Sequence, residues 1–372
     1  MPEAERQKEP VMSQVEMPPG FSRTPYAGSQ LQQMYLNQRS RGESFTALLT
    51  DLDDSLHRPD RQTATDALAQ AAADRDYPII GVTSGWIDYV QRRISNHEFP
   101  QLPIVATAGG TELWVLQTTH TGEPSYVKDI RYEQHLVEQG YDRKQLVQQL
   151  DEMIKEFAVT QPELGMCFAQ PGLERAFLSN QPTEPPLPQF SITLHFFADS
   201  SEIFETTTRF LQTLFPSQSI VTCEDVDASR ELPPDEPRRK YAAFLLPTTK
   251  AGAVRYLKSE LGIARGLIAG DSGNDIDMLL HDTDFQAVLV GGAKREAVSA
   301  IDTLERLDAK GSTAAFRTVK NAEGRLIRIY VEPTKDRLGP ESIARAAMIL
   351  ERAMNIARIR RQRLASQPTN ED

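Results

Sequence analysis

At roughly 100–200 residues per domain, a chain of 372 residues is long enough for two domains. Hydrophobic residues make up 40% and charged residues 25%, which excludes a chain disordered throughout, a collagen-like repeat, a coiled coil and a disulfide scaffold. Lys+Arg is 41 and Asp+Glu is 52, and the resulting formal charge of -11 repels phosphate backbones, so nucleic acid is not an expected partner. The same acidity suits a site that gathers a divalent cation. Two cysteines, Cys167 and Cys223, are too few for a disulfide framework. They read as packing residues in a reducing, cytoplasmic setting. The opening MPEAERQKEPVMSQVEMPPG has no apolar stretch of the secretory kind, and no run approaches the roughly 18 apolar residues of a membrane span.

Residues 1–43 are polar and broken by Pro and Gly, and read as a mobile tail with at most a short helix at 30–38. From there the predicted elements alternate. Phe45–Thr50 is a strand, Thr63–Ala73 a helix, Pro78–Val82 a strand, Trp86–Ile94 a helix and Pro103–Ala106 a strand, with Leu113–Leu116 a further candidate. These strands are continuously apolar, which argues for a parallel sheet covered on both faces. Residues 119–247 differ in texture. Amphipathic helices span Tyr132–Phe157, a Pro-rich turn lies at 182–188, and the strand Phe190–Ala198 alternates. A helix at Glu202–Leu214 and strands at Ser219–Cys223 and Tyr241–Leu246 complete an inserted α/β domain. The parallel pattern then resumes with the helix Lys250–Leu261 and strands at Gly266–Ala269, Gln286–Val290 and Leu326–Val331. A long helix starts at Pro340, with Ile343, Ala347, Leu350 and Met354 on one face and a basic end at 358–363. The fold class is therefore α/β. A discontinuous core covers 44–118 and 248–335, the insert covers 119–247, and 336–372 form a C-terminal helix and tail.

Four segments at the ends of the apolar runs carry chemistry. In LLTDLDDS (48–55), Asp51 and Asp53 leave a buried strand two residues apart. Close carboxylates repel unless a cation sits between them, and Mg²⁺ binds through one or two carboxylates with waters and phosphate oxygens. Alone, this segment serves equally as an acidic loop capping the next helix. In IIGVTSGW (79–86), a Thr or Ser hydroxyl beside Gly85 suits a phosphate oxygen, although an N-cap for the following helix is the simpler reading. Lys250 opens a helix and can neutralise phosphate charge, although a lone lysine is ordinarily solvent-exposed. In LIAGDSGNDIDML (267–279), a tight turn lets Asp271 and Asp275 face one site, with Asp277 two positions on.

In this order the four segments resemble the haloacid dehalogenase superfamily of phosphohydrolases, over residues 45–118 and 248–300. The insert between the second and third segments resembles the C2-cap branch. VATAGGTELWV and AVLVGGAKRE are most similar to the sucrose-phosphate phosphatase group. The resemblance implies a Rossmann-like core with a C2-type cap, and Mg²⁺ as cofactor. It implies that Asp51 is the nucleophile and forms an aspartyl-phosphate, with Asp53 as acid and then base. Ser84, with Thr83 and Gly85 beside it, binds a phosphoryl oxygen. Lys250 offsets charge, Asn274 contacts the phosphoryl group or orders its loop, and Asp271 and Asp275 hold the metal with Asp51 and the backbone carbonyl of Asp53. The expectation is four acidic residues sharing one cavity.

Two positions depart from the family pattern. Trp86 stands where relatives usually carry Arg, and Ser55 stands for the commoner Thr. The implied activity is a Mg²⁺-dependent phosphatase acting on a small phosphorylated sugar or polyol. A phosphomutase of the same branch and a non-catalytic sugar-phosphate-binding protein are the alternatives. Among weaker signals, no histidine pair has zinc spacing. His57 reads as a surface loop residue and His195 as structural. Trp86 and Trp114 read as core residues before sugar-stacking ones, and DEPRRK (235–240) as a solvated loop.

Overall fold

The computed structural model describes residues 46–351 apart from 76, 119–123, 171–173, 175, 177, 180–189, 225–228, 230–231, 234–235, 305–314, 335 and 350. Expectations for the N-terminal tail, the Pro-rich turn, Leu350, Met354 and the basic end at 358–363 lie outside these residues. The first strand, β1 (Thr46–Thr50), shows why its run is apolar without alternation. Ala47 and Leu49 enter one apolar cluster, while Leu48 enters another on the opposite face. Strands β2 (Ile79–Val82), β3 (Ile104–Thr107), β10 (Arg265–Gly270) and β11 (Phe285–Leu289) are likewise mostly apolar or small and do not alternate, Arg265 and Gln286 being the long polar exceptions.

With β4 (Glu112–Thr118), β5 (Pro124–Lys128), β12 (Phe316–Lys320) and β13 (Leu326–Val331), these strands form a nine-stranded sheet in the order β12-β13-β11-β10-β1-β2-β3-β4-β5. The run from β13 to β3 is parallel. Both flanks, β12 on one side and β4–β5 on the other, are antiparallel. Helices cover both faces. On one face lie α1 (Gln62–Ala73), α2 (Ile87–Ser95) and the helix at 340–349, through Leu68, Ile87, Val90 and Ile343. On the other lie α3 (Ile130–Glu138), α6 (Lys250–Leu261), α7 (Ile276–Leu279) and α8 (Arg295–Thr303), through Leu136, Val254, Met278 and Ile301.

The second sheet is antiparallel, in the order β6-β7-β9-β8: β6 is Cys167–Phe168, β7 Ile192–Ala198, β8 Ser219–Glu224 and β9 Arg239–Leu246. Alternate residues of β7 are buried and half-buried, as one covered face requires. Helices α4 (Arg143–Thr160) and α5 (Ser201–Leu214) add Leu150, Ile154 and Leu211 to the cluster that holds Ile192, Leu194 and Phe196. Side chains Asp142 and Ser200 cap them by accepting from Gln145 N–H and Ile203 N–H.

One boundary moves. The edge expected at 118/119 assigns Pro124–Lys128 to the insert, yet that segment pairs with β4 and extends the large sheet. Its partner supplies the backbone hydrogen bonds that the short, partly polar PSYVK does not announce. Cys167 is exposed rather than packed, because its two-residue strand lies at the edge of the small sheet. Among the described residues, no helix is long and apolar enough to cross a membrane.

Candidate active site

Adjacent parallel strands bring three of the four chemical segments together, since β10, β1 and β2 end side by side. Asp51 follows β1, and its N–H donates to the Ala269 carbonyl at 2.9 Å, so the ladder extends one residue into the site. Asp271 follows β10, and Thr83 and Ser84 follow β2. Lys250 arrives from the far side of the insert as the first residue of α6.

Lys250 is 2% exposed, against the expectation of a solvated lysine. Its Nζ lies 2.6 Å from Asp51 Oδ1 and 2.6 Å from Asp275 Oδ1. Burial works against its charge, but the Asp275 and Asp51 carboxylates outweigh burial and hold the ammonium above the ordinary lysine range. The second oxygen of Asp275 organises the turn. It accepts the N–H groups of Asp271 (3.1 Å) and Ser272 (3.0 Å) and the Ser272 hydroxyl (2.9 Å). A Cβ on Gly270 would sit 2.4 Å from Asp275 Cβ, so this fold-back requires glycine.

Asp271 is 2% exposed. Its Oδ1 accepts the Ser55 hydroxyl at 3.2 Å, which gives the departure at Ser55 a partner. Its Oδ2 is buried without a hydrogen-bond partner, and Lys294 Nζ stands 3.9 Å off. Oxygens of Asp51, Asp271 and Asp275 all lie within 4.8 Å of one another. Burial pushes Asp51 well above the usual carboxylate range; Lys250 opposes this, and Asp275 and Asp271 add to it. Burial and Asp275 raise Asp271 likewise. Three buried carboxylates against one buried ammonium, all hard oxygen donors, with one oxygen that accepts no hydrogen bond, fit a hard divalent cation such as Mg²⁺.

Asp53 does not join them, so three acidic side chains rather than four share the cavity. The carboxylate is half-exposed and turns toward α2, where the Tyr89 hydroxyl donates to its Oδ1 at 2.5 Å. Thr83 is buried, and its hydroxyl accepts the Gly85 N–H at 3.0 Å, which shapes the turn and leaves the hydroxyl's own proton to donate. Neither residue makes a side-chain cap for α2, whose cap position is Trp86. Ser84 is exposed, and its hydroxyl accepts from Asn274 Nδ2 at 2.8 Å, which ties the second segment to the fourth.

Trp86 is 40% exposed beside this junction, whereas Trp114 is buried and donates to the Thr107 hydroxyl. His57 is buried at 3% exposure, edge-on to Phe99. Burial, then Arg93, holds it below the ordinary histidine range. Glu236 engages Arg238 of the DEPRRK run. Reading the sequence missed Tyr89 and Arg93; their spacing of four on a helix that follows the second segment was the available signal. A cavity of about 490 Å³, lined by Leu48, Leu68, Leu267 and Ile343 among others, opens at the opposite, amino end of the strands and contains none of these acidic residues.

The family described as sucrose-6F-phosphate phosphohydrolase matches residues 245–320, which include Lys250, Asp271 and Asp275. No curated protein matches the chain. Among solved structures, the sucrose-phosphatase from Synechocystis in complex with sucrose and phosphate is 17% identical, with a TM-score of 0.51 over 82% of this chain and 98% of that one. A haloacid dehalogenase-like hydrolase from Bacillus subtilis is 14% identical, with a TM-score of 0.44 over 72% and 91%. One from Bacteroides thetaiotaomicron is also 14% identical, with a TM-score of 0.39 over 69% and 92%. The first of these agrees with the fold expected from the motifs. The chain thus resembles the sucrose-6F-phosphate phosphohydrolase family over 245–320 and shares the fold of the sucrose-phosphatase.

Proposed function

We propose that this chain is a Mg²⁺-dependent phosphatase that hydrolyses a small phosphorylated sugar through an aspartyl-phosphate, with sucrose-6-phosphate or a related glycoside phosphate as the first candidate. The single observation that carries the reading is the buried group of Asp51, Asp271 and Asp275 around Lys250. The match to the sucrose-6F-phosphate phosphohydrolase family over 245–320 supports the sugar phosphate as substrate class.

The chemistry follows from the positions. Lys250 fixes one oxygen of Asp51, and the other oxygen forms the new bond to phosphorus. The bond from phosphorus to the sugar oxygen breaks, and Asp53 gives that oxygen its proton. Asp53 then takes a proton from water as the water attacks phosphorus, and the Asp51–phosphorus bond breaks. Ser84 and Asn274, already joined, hold phosphoryl oxygens, while Thr83 and Gly85 keep the turn in shape. Asp51, Asp271, Asp275 and the backbone carbonyl of Asp53 would hold Mg²⁺, which when bound supplies the positive charge that lets an anionic carboxylate approach an anionic phosphoryl group. The insert, resembling a C2 cap, selects the leaving group and excludes water.

A phosphate-release screen over sugar phosphates with Mg²⁺ tests this reading. Release is expected with at least one sugar phosphate, and Asp51→Asn should lower it by about 10⁴-fold or more. Full activity in Asp51→Asn, or no release from any ester, overturns the proposal.

A further inference from the structure

We infer that Tyr89 and Arg93 of α2 are a positioning pair for Asp53, a role that rests on the acid–base assignment above and deepens it. Both act on a single oxygen. The Tyr89 hydroxyl donates to Asp53 Oδ1 at 2.5 Å, and Arg93 Nη2 lies 3.5 Å from the same atom. That leaves Oδ2 as the oxygen that exchanges the proton, first with the leaving group and then with water. The pair acts through Asp53 and touches neither phosphorus nor leaving group.

The two donors are themselves held. They sit one helical turn apart, and the Arg93 guanidinium lies 5.5 Å over the Tyr89 ring and 5.0 Å over the Phe99 ring. Arg93 also pairs with Glu98, and the Tyr89 ring meets Phe99 edge-on at 6.2 Å. Tyr89 makes a second contact that matters. A Cβ on Gly85 would fall 2.9 Å from its ring, so tyrosine and glycine fit only as a pair. One side chain thus touches the loop bearing the acid–base carboxylate and the loop bearing the phosphate hydroxyl. A positioned carboxylate delivers more of the roughly 10²–10⁴-fold that general acid–base catalysis supplies than a freely rotating one.

The test compares two esters, because only one needs an acid to leave. The sugar phosphate found in the screen expels a basic alkoxide, whereas p-nitrophenyl phosphate expels a stable phenolate. Tyr89→Phe should lower kcat/KM for the sugar phosphate about tenfold, lower that for p-nitrophenyl phosphate less than about threefold, and leave KM within about twofold. Arg93→Lys, which keeps the charge but shortens its reach, should move the same ratio in the same direction by a smaller factor. It also serves if the first variant is poorly folded. Equal losses on the two esters, or no loss on either, overturn the positioning pair while leaving the phosphatase reading intact. No turnover of either ester by the wild type overturns both.

Discussion

Each sheet region buries an ionic group around a single long cationic side chain, and the two groups compared are built on opposite terms. In the insert, Arg143 and Glu174 are 7% and 4% exposed and form a matched pair. The guanidinium donates to both Glu174 oxygens at 2.8 Å and to the Ser191 carbonyl at 2.8 Å. Beneath the large sheet's carboxyl edge, Lys250 binds Asp51 and Asp275, Lys294 Nζ stands 3.9 Å from Asp271, and Asp271 Oδ2 has no hydrogen-bond partner. The first sets one cation against one anion. The second carries more negative charge than its own side chains neutralise, which is how a structure looks when part of its charge balance is to come from a ligand.

Removing the central cation should separate the two regions most sharply. Lys250→Met is expected to cost about 3 kcal/mol in urea unfolding and to lower phosphate release by at least roughly 10²-fold, because it leaves Asp51 and Asp275 facing each other without their shared donor. Arg143→Met should cost a similar ~3 kcal/mol, since it strands a buried glutamate, yet keep kcat within about threefold. Comparable losses of kcat in both variants would show that the insert's pair is also part of the catalytic machinery.

The smallest effect has the opposite sign. Asp271→Asn retains a partner for Ser55 but removes one of three crowded charges, so the metal-free protein should gain about 1 kcal/mol while losing activity. Added Mg²⁺ should raise the melting temperature of the wild type and not that of Asp271→Asn. The gain should depend on pH. Burial and like charge raise Asp51 and Asp271 above the ordinary carboxylate value, so the folded chain binds more protons than the unfolded one. Their contribution is therefore favourable at the acid end and fades as pH rises through the raised values. The difference between variant and wild type should grow over that window, and a pH-independent difference would contradict the crowding.

The parallel strands were legible because burial on both faces leaves no alternation to blur them, as Ala47, Leu48 and Leu49 show. Pro124–Lys128 and Phe316–Lys320 were not. They lie on the antiparallel flanks, and their polar residues suit an edge as well as a loop. Asp51, Lys250, Asp271 and Asp275 could be read because each closes or opens an apolar run within its own segment. The direction of Asp53, the burial of His57 and the part played by Tyr89 come from contacts between segments. In WIDYVQRR the spacing of Tyr89 and Arg93 marks a shared helix face, but not that the tyrosine reaches back 36 positions to a carboxylate.

Lys250 and Asp51 are separated by 199 positions, and the whole small sheet is threaded between them. At about 5–20 residues per second, a ribosome that has just made Asp51 needs roughly 10–40 s to reach the lysine. Throughout that interval the nascent aspartate lacks its counter-charge, and every strand of the insert is made before the lysine arrives. A chain cut short before Lys250 would therefore lack the ammonium that binds Asp51 and Asp275.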